Sequence, residues 1–249
     1  VGASVRRTAA SGNQLHARGT GGPSRATEAS ARVEREESRK RAAGEFRSPE
    51  DPTFRQKADE LRRLYYGLAA YCDAQVGKII DFLDRAGLRR NTLVIFSSDH
   101  GQQFFDHGFN DKHNFYDASW RIPLILSMPG TLAENETRDF AVWTDLTATI
   151  LGAAGISSPA VQGFDLFTPL ANGEPSPRRC AVGTLYKSAA LATKYWKLEY
   201  YFEEGEGRLF NRLDDPAEQN DLYRSEAHED VRNAMLHALL TWRADLTDI

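Results

Sequence analysis

The chain has 249 residues, 41% of them hydrophobic and 27% charged, with 31 Lys and Arg against 35 Asp and Glu for a net charge of −4. These totals fit an ordinary globular protein of one large domain or a domain and a half. They give no basic field that would recommend nucleic acid as a partner, and no apolar stretch nears the roughly 20 residues of a membrane span. The two cysteines, Cys72 and Cys180, have neither paired-motif nor zinc-ligand spacing.

Residues 1 to 50 differ in composition from the rest of the chain. Val1, Val5, Leu15, Val33 and Phe46 are nearly their only large apolar side chains, set among Arg, Glu, Ala, Ser and Gly. Such a stretch buries too little surface to offset its ordering entropy, so a disordered or atypical leader is expected. The chain opens on Val1 rather than Met, and the downstream part of a longer protein is expected.

Order is expected from Asp51-Pro52, a helix cap followed by proline at the first helical position. Leu61, Leu64, Leu68, Cys72, Val76, Ile79, Ile80 and Leu83 then recur at three- and four-residue steps, one apolar helix stripe that Gly87 should end. Cys72 falls on that stripe, which predicts core packing for it. After a short link, Asn91-Thr-Leu-Val-Ile-Phe-Ser-Ser-Asp-His-Gly101 carries four apolar residues in a row between turn formers. That run predicts a strand buried on both faces of a parallel sheet. A polar and aromatic loop over residues 101 to 120 leads to a second strand, Ile122 to Met128, closed by Pro129-Gly130. A short third strand is expected at Phe140 to Trp143, and a helix from about Asp145 to Ala154. After a Pro- and Gly-bearing stretch, aromatic-rich residues 180 to 213 suit short strands. A last helix stripe runs through Val231, Met235, Leu239 and Trp242. The order predicts an α/β core portion over residues 51 to 175, and an antiparallel-sheet subdomain with one helix over residues 176 to 249.

The chemistry gathers after the apolar strand. Ligands of open α/β sheets collect beyond the carboxyl ends of strands, where Asp99 and His100 stand. A carboxylate and an imidazole can share one divalent ion, and Lys112 lies in a loop long enough to fold back over them. A cation with a lysine beside it suits an anionic tetrahedral ester, because positive charge then sits where negative charge grows. His107 and His113 lie in the same loop. His107 is a candidate substrate contact and His113 a candidate leaving-group acid; loop hydrogen bonding and plain surface exposure are the competing readings. Lys187 and Lys194 read as solvated strand residues.

Five pieces in order resemble the type I sulfatases of the alkaline phosphatase superfamily. They are Tyr71-Cys-Asp-Ala-Gln-Val-Gly77, the strand end Asn91 to Gly101, and Lys112 through Tyr116-Asp-Ala-Ser-Trp-Arg-Ile-Pro-Leu124. Next come Thr144-Asp-Leu through Gly155 with Gly163-Phe-Asp-Leu166, and then Leu209-Phe-Asn-Arg-Leu-Asp-Asp-Pro-Ala-Glu-Gln-Asn-Asp-Leu222. The resemblance covers roughly residues 60 to 245. It implies a partial alkaline-phosphatase-like layered sheet and hydrolysis of a small-molecule or carbohydrate sulfate ester. Asp99 and His100 would be metal ligands, and Lys112 would contact sulfate as a catalytic and substrate-binding group. Asp-His in place of the commoner Asp-Asn resembles the phosphonate monoester hydrolase and choline-sulfatase side of the family. Phosphonate or phosphodiester hydrolysis is therefore the alternative activity, and a non-catalytic binding module the alternative class. One divalent metal is implied, Ca²⁺ or Mn²⁺, and the imidazole nitrogen tilts the choice towards a transition metal. Family members also carry paired acids and a Cys/Ser-x-Pro-x-Arg motif whose first residue becomes formylglycine. Neither cysteine here has that context, and Gly21-Gly-Pro-Ser-Arg25 has glycine at the nucleophile position. Formylglycine is thus expected only in an N-terminal part outside this sequence.

Overall fold

Helix α1, Pro52–Arg85, leads the described structure, a computed structural model covering residues 52–109, 112–134, 139–157 and 160–247. The expected leader over residues 1 to 50 lies outside the described residues. Gly87 ends α1 as its sequence predicts: at φ 69° its N–H donates to Asp84 O (3.1 Å) and the Leu88 N–H to Leu83 O (2.9 Å). That paired C-terminal cap needs a left-handed residue, which glycine adopts at no steric cost.

Two strands come next, β1 at Val94–Ser97 and β2 at Leu124–Ser127. They pair antiparallel, with Phe96 opposite Ile125. This corrects the parallel expectation. Among the described residues the connection between them holds the short 3-10 turn Asp106–Gly108 and the single turn α2, Asp117–Trp120, and no crossover helix of the kind that parallel neighbours need. Phe96 and Ile125 are both exposed, so one face of this pair is open.

The third strand expected at Phe140 to Trp143 is absent, because the local backbone finds other partners. Phe140 O accepts from Ser176 Oγ (2.8 Å), and Val142 N donates to Asp145 Oδ2 (2.9 Å). Helix α3, Trp143–Ala153, therefore starts two residues earlier than expected, with Asp145 capping its first turn. A short α4, Phe167–Ala171, lies beyond it.

The second sheet is antiparallel in the order β3-β4-β5-β6, from Ala181–Leu185, Ser188–Ala192, Trp196–Tyr201 and Glu206–Asn211. Alternation along β5 and β6 builds two unlike faces. Leu198 and Leu209, directly paired, join Ala189, Leu191, Met235 and Leu239 in a core under α5, Glu229–Thr247. The opposite face carries Lys197, Glu199 and Arg208, with Glu199 paired across from Arg208. The small sheet packed on one helix is as its sequence predicts. Lys187 and Lys194 depart from their reading: they sit between β3 and β4 and between β4 and β5, in turns rather than strands.

Glu199 is fully buried, and that burial holds its carboxyl above the ordinary 4.5 against the opposing pull of Lys197 and Arg208. A raised folded-state value means the native chain binds this proton more tightly than the unfolded chain does. The stability contributed is complete below pH 4.5 and is lost as the pH climbs towards the raised value. Glu199→Gln is expected to flatten the fall of melting temperature between pH 4.5 and neutrality, as read by thermal melts of both proteins in one buffer series. An unchanged slope would contradict this.

The α1 stripe forms, but it does not pack as expected. Leu64, Leu68, Ile79 and Phe82 are each more than half exposed, and Cys72 is exposed too. The described contacts of α1 lie towards its two ends: Ala58 is buried, Arg62 pairs with Asp106 at 3.2 Å, and Tyr65 meets Phe104 edge-on at 4.5 Å. The C-terminal end touches the turn at Arg89–Asn91. A partly exposed apolar stripe is what a docking or association surface presents. The isolated chain is accordingly expected to enhance the fluorescence of an apolar-surface dye, and Leu64→Lys with Leu68→Lys to reduce that signal by about half or more. Equal signals from both proteins would show that the stripe is covered. Among the described residues no helix is long and apolar enough to cross a membrane.

Candidate active site

Strand β1 ends at Ser97, and the next residues turn so that Asp99 and His100 share one side of the chain. Asp99 Oδ1 accepts from the His100 N–H at 2.9 Å, and its Oδ2 lies 3.3 Å from His100 Nε2. The imidazole Nδ1 is 2.8 Å from Gly101 O. A carbonyl can only accept, so Nδ1 carries the proton and Nε2 keeps its lone pair. Carboxylate Oδ2 and imidazole Nε2 thus form a two-atom donor pair at the strand end.

Lys112 comes back over this pair. Its Nζ donates to His100 Nε2 at 2.6 Å, so carboxylate, imidazole and ammonium meet within one hydrogen-bonded group. Two bonds set that return: Gly101 N donates to Ser119 O (2.7 Å), and Ser119 Oγ donates to Lys112 O (2.5 Å). Gly101 has to be glycine for this approach, because a Cβ there would overlap the Ala118 carbonyl.

The remaining sequence-predicted residues lie further along the loop. His107 stacks on Tyr116, ring centroids 3.7 Å apart and 8° from parallel, and burial lowers its pKa from 6.5. Arg208 covers the same tyrosine at 5.3 Å. His113 lies near Tyr186, with ring centroids 6.2 Å apart. The structure brings Asp99, His100 and Lys112 together, and sets His107 and His113 against aromatic neighbours. Phe104, Phe105 and His107 all take left-handed φ values of 47°, 70° and 53°. Three such non-glycine residues in one loop store strain of the kind found at functional sites.

Several supporting residues carry no motif that singles them out. Trp143 Nε1 donates to Ser98 O (3.0 Å), fastening α3 to the strand end. Buried Gln103 donates from Nε2 to Asn114 Oδ1 (2.6 Å), tying the two limbs of the loop. Lys197 and Glu218 reach the loop from the second sheet and the segment after it. The available signal for Lys197 was its alternation with Leu198 and Glu199, which gives β5 a second, polar face.

The donor set fits part of a metal site. Two donors of types that divalent ions accept lie side by side, the imidazole one engaged by Lys112 Nζ, and the His100 ring is held by a backbone carbonyl as metal-bound histidines are. Among the described residues, no group of three or more His, Cys, Asp or Glu is placed to hold an ion, so these two would supply only part of a shell.

A carboxylate, an imidazole and an amine gathered at one strand end are groups that metal-assisted ester chemistry can use. Comparison makes this specific: the sequence profile described as Sulfatase matches residues 16–156, and that of N-sulphoglucosamine sulphohydrolase, C-terminal, matches residues 105–245. The chain belongs to the sulfatase family. It is 29% identical over 216 residues to the ulvan-active sulfatase of Formosa agariphila, covering 79% of this chain and 41% of that protein. It is 34% identical over 170 residues to the choline-sulfatase of Rhizobium meliloti, covering 65% and 33%. The solved structure of BT4656 in complex with its substrate D-glucosamine-2-N,6-O-disulfate matches with a TM-score of 0.75 at 21% identity, covering 91% of this chain and 48% of that one. The chain spans less than half the length of each of these three proteins.

Proposed function

We propose that this chain is the C-terminal portion of a sulfate-ester hydrolase, with Asp99 and His100 as two ligands of one divalent cation and Lys112 as the sulfate contact. The observation that carries the reading is the meeting of Asp99 Oδ2, His100 Nε2 and Lys112 Nζ within 3.3 Å and 2.6 Å steps at the end of β1. When bound, the cation would supply Lewis-acid stabilisation of charge growing on a sulfate oxygen. The imidazole donor favours Mn²⁺ or another transition metal over Ca²⁺.

The chain's own residues do the rest. Asp99 balances the local positive charge. His100, its Nδ1 proton held on Gly101 O, would offer Nε2 to the ion. Lys112 places an ammonium beside the donor pair, and would exchange its bond to His100 for one to the ester. His113, one residue on, is the candidate acid for the leaving alcohol, and His107 borders the same loop as a substrate contact. Sulfatases generally use a metal ion together with formylglycine. The nucleophile motif is not in this sequence, so the covalent step belongs to another part of the longer protein.

A substrate panel tests the reading. The longer protein containing this chain should hydrolyse an aryl sulfate with kcat/KM at least about 10-fold above that for a matched phosphodiester, a gap of roughly 1.4 kcal/mol in the barrier. Preference for the phosphodiester would move the assignment to the phosphonate and phosphodiester hydrolases that share the scaffold.

A further inference from the structure

The ammonium of Lys197 is fully buried inside β5, and its bonds run to the loop that carries Lys112. Nζ donates to Phe115 O at 2.7 Å and to Asp117 Oδ1 at 3.0 Å, and forms an ion pair with the carboxylate of Glu218. Glu218 is itself buried, held at a left-handed φ of 55°, and its Oε2 accepts from Asp117 N at 2.8 Å. The rings of Trp120 and Phe210 lie 5.8 and 5.9 Å from the same ammonium. Two segments far apart in sequence, Trp196 to Tyr201 and Asp215 to Asp221, thus converge on residues 115 to 117.

From there the connection continues to the site. The Asp117–Trp120 turn, fixed at its start by Lys197 and Glu218, presents Ser119. Ser119 Oγ donates to Lys112 O, and Ser119 O accepts from Gly101 N. One residue therefore holds both backbone limbs whose side chains meet at the His100–Lys112 bond. A second tie runs parallel: Asn114 Oδ1 accepts from Gln103 Nε2 and from Tyr116 N.

Energetics say what the lysine is for. A buried ion group is weak support for stability, since an apolar residue of similar volume often serves as well or better at such a position. Methionine would fill this space between Trp120 and Phe210 without the desolvation cost. What methionine cannot do is hold a carbonyl and two carboxylates at fixed distances. The ammonium specifies the geometry of the loop.

We propose that Lys197 is a positioning residue for the strand-end site: acting through Asp117 and Ser119, it sets Lys112 Nζ against His100. This rests on the sulfatase reading only for its catalytic consequence; the structural coupling stands without it.

The test uses the full chain with ¹⁵N-labelled histidine and follows the imidazole nitrogen resonances at one fixed pH. Lys112→Ala first gives the position of His100 Nε2 without its donor. Lys197→Met is expected to move that resonance to the same position. His228, which packs on Trp196 away from the loop at 5.6 Å, should stay where it is. Ser119→Ala, which alters no charge, should cause the same movement. If Lys197→Met does not fold, as loss of His228 dispersion would show, Asp117→Asn takes its place, because it keeps the side-chain shape and cancels the charge. His100 unmoved in a folded Lys197→Met or its substitute, or in Ser119→Ala, overturns the proposal. In the longer protein, Lys197→Met should lower kcat for an aryl sulfate about 10-fold or more with KM nearly unchanged, the pattern of a misplaced group. A KM effect alone would also overturn it. Absence of aryl sulfate turnover in the wild type would sink the functional reading and leave the resonance result to decide the coupling.

Discussion

Lys112→Ala in the longer protein is expected to lower aryl sulfate turnover by about 10²–10³-fold, the loss typical when one preorganised donor to a developing anion is removed. The fold should tolerate the change. Lys112 Nζ bonds His100 Nε2, and the Lys112 backbone carbonyl accepts from Ser119 Oγ, a bond that alanine keeps. The variant should therefore melt with the wild type while losing rate. Initial-rate kinetics beside a thermal melt separate the two effects. If the lysine acts on the transition state, kcat and kcat/KM fall together; if it only gathers substrate, KM rises alone. Turnover near that of the wild type would remove Lys112 from the site.

Asp145→Ala is the change expected to cost most stability. Asp145 is fully buried, and its two oxygens accept from Arg178 Nε and Nη2 at 2.6 and 2.5 Å, from Val142 N and from Phe164 N, both at 2.9 Å. Alanine would leave a nearly buried guanidinium without its carboxylate and two N–H groups without acceptors. Breaking a buried pair by removing one partner costs about 3–5 kcal/mol. The damage would reach the site, because α3 begins beside Asp145 and its Trp143 is bonded to Ser98 O, next to Asp99. Denaturant unfolding of both proteins measures the difference. A loss no greater than the roughly 0.5 kcal/mol of an ordinary surface substitution would contradict this account of how α3 is held.

The sequence makes the second sheet legible and the first one only half so. Short alternating segments from Val182 to Leu213 and the stripe Val231, Met235, Leu239, Trp242 each bury one face against the other, so pattern and packing agree. Along β1 every residue from Leu93 to Phe96 is apolar, and such a run states that both faces want burial without saying which neighbour pairs or in which direction. Direction goes with the connection, and among the described residues two short turns stand where a parallel pair would need a crossover helix. The α1 stripe teaches the same point from the other side. Its period correctly gives a helix over Pro52–Arg85, but a period names no partner, and among the described residues the middle of the stripe stays exposed.

Asp99 and His100 stand out in the sequence as a candidate pair because they are adjacent after an apolar run, and Lys112 because it lies in the loop that follows. Lys197 and Glu218 do not, since each is more than 80 residues from Lys112 and is joined to the loop only through space. Glu218 stands inside the Leu209 to Leu222 motif, but the motif names no partner for it. Only the register of β5 shows that Lys197 points away from Leu198 and its core, towards residues 115 to 117.

The most direct measurement is the divalent metal content of the longer protein, purified alongside its Asp99→Ala and His100→Ala variants and read by elemental analysis. Near one equivalent in the wild type, lost or much reduced in both folded variants, is the predicted result. Metal retained in full by either variant would contradict the assignment of the β1 strand end as half of the site.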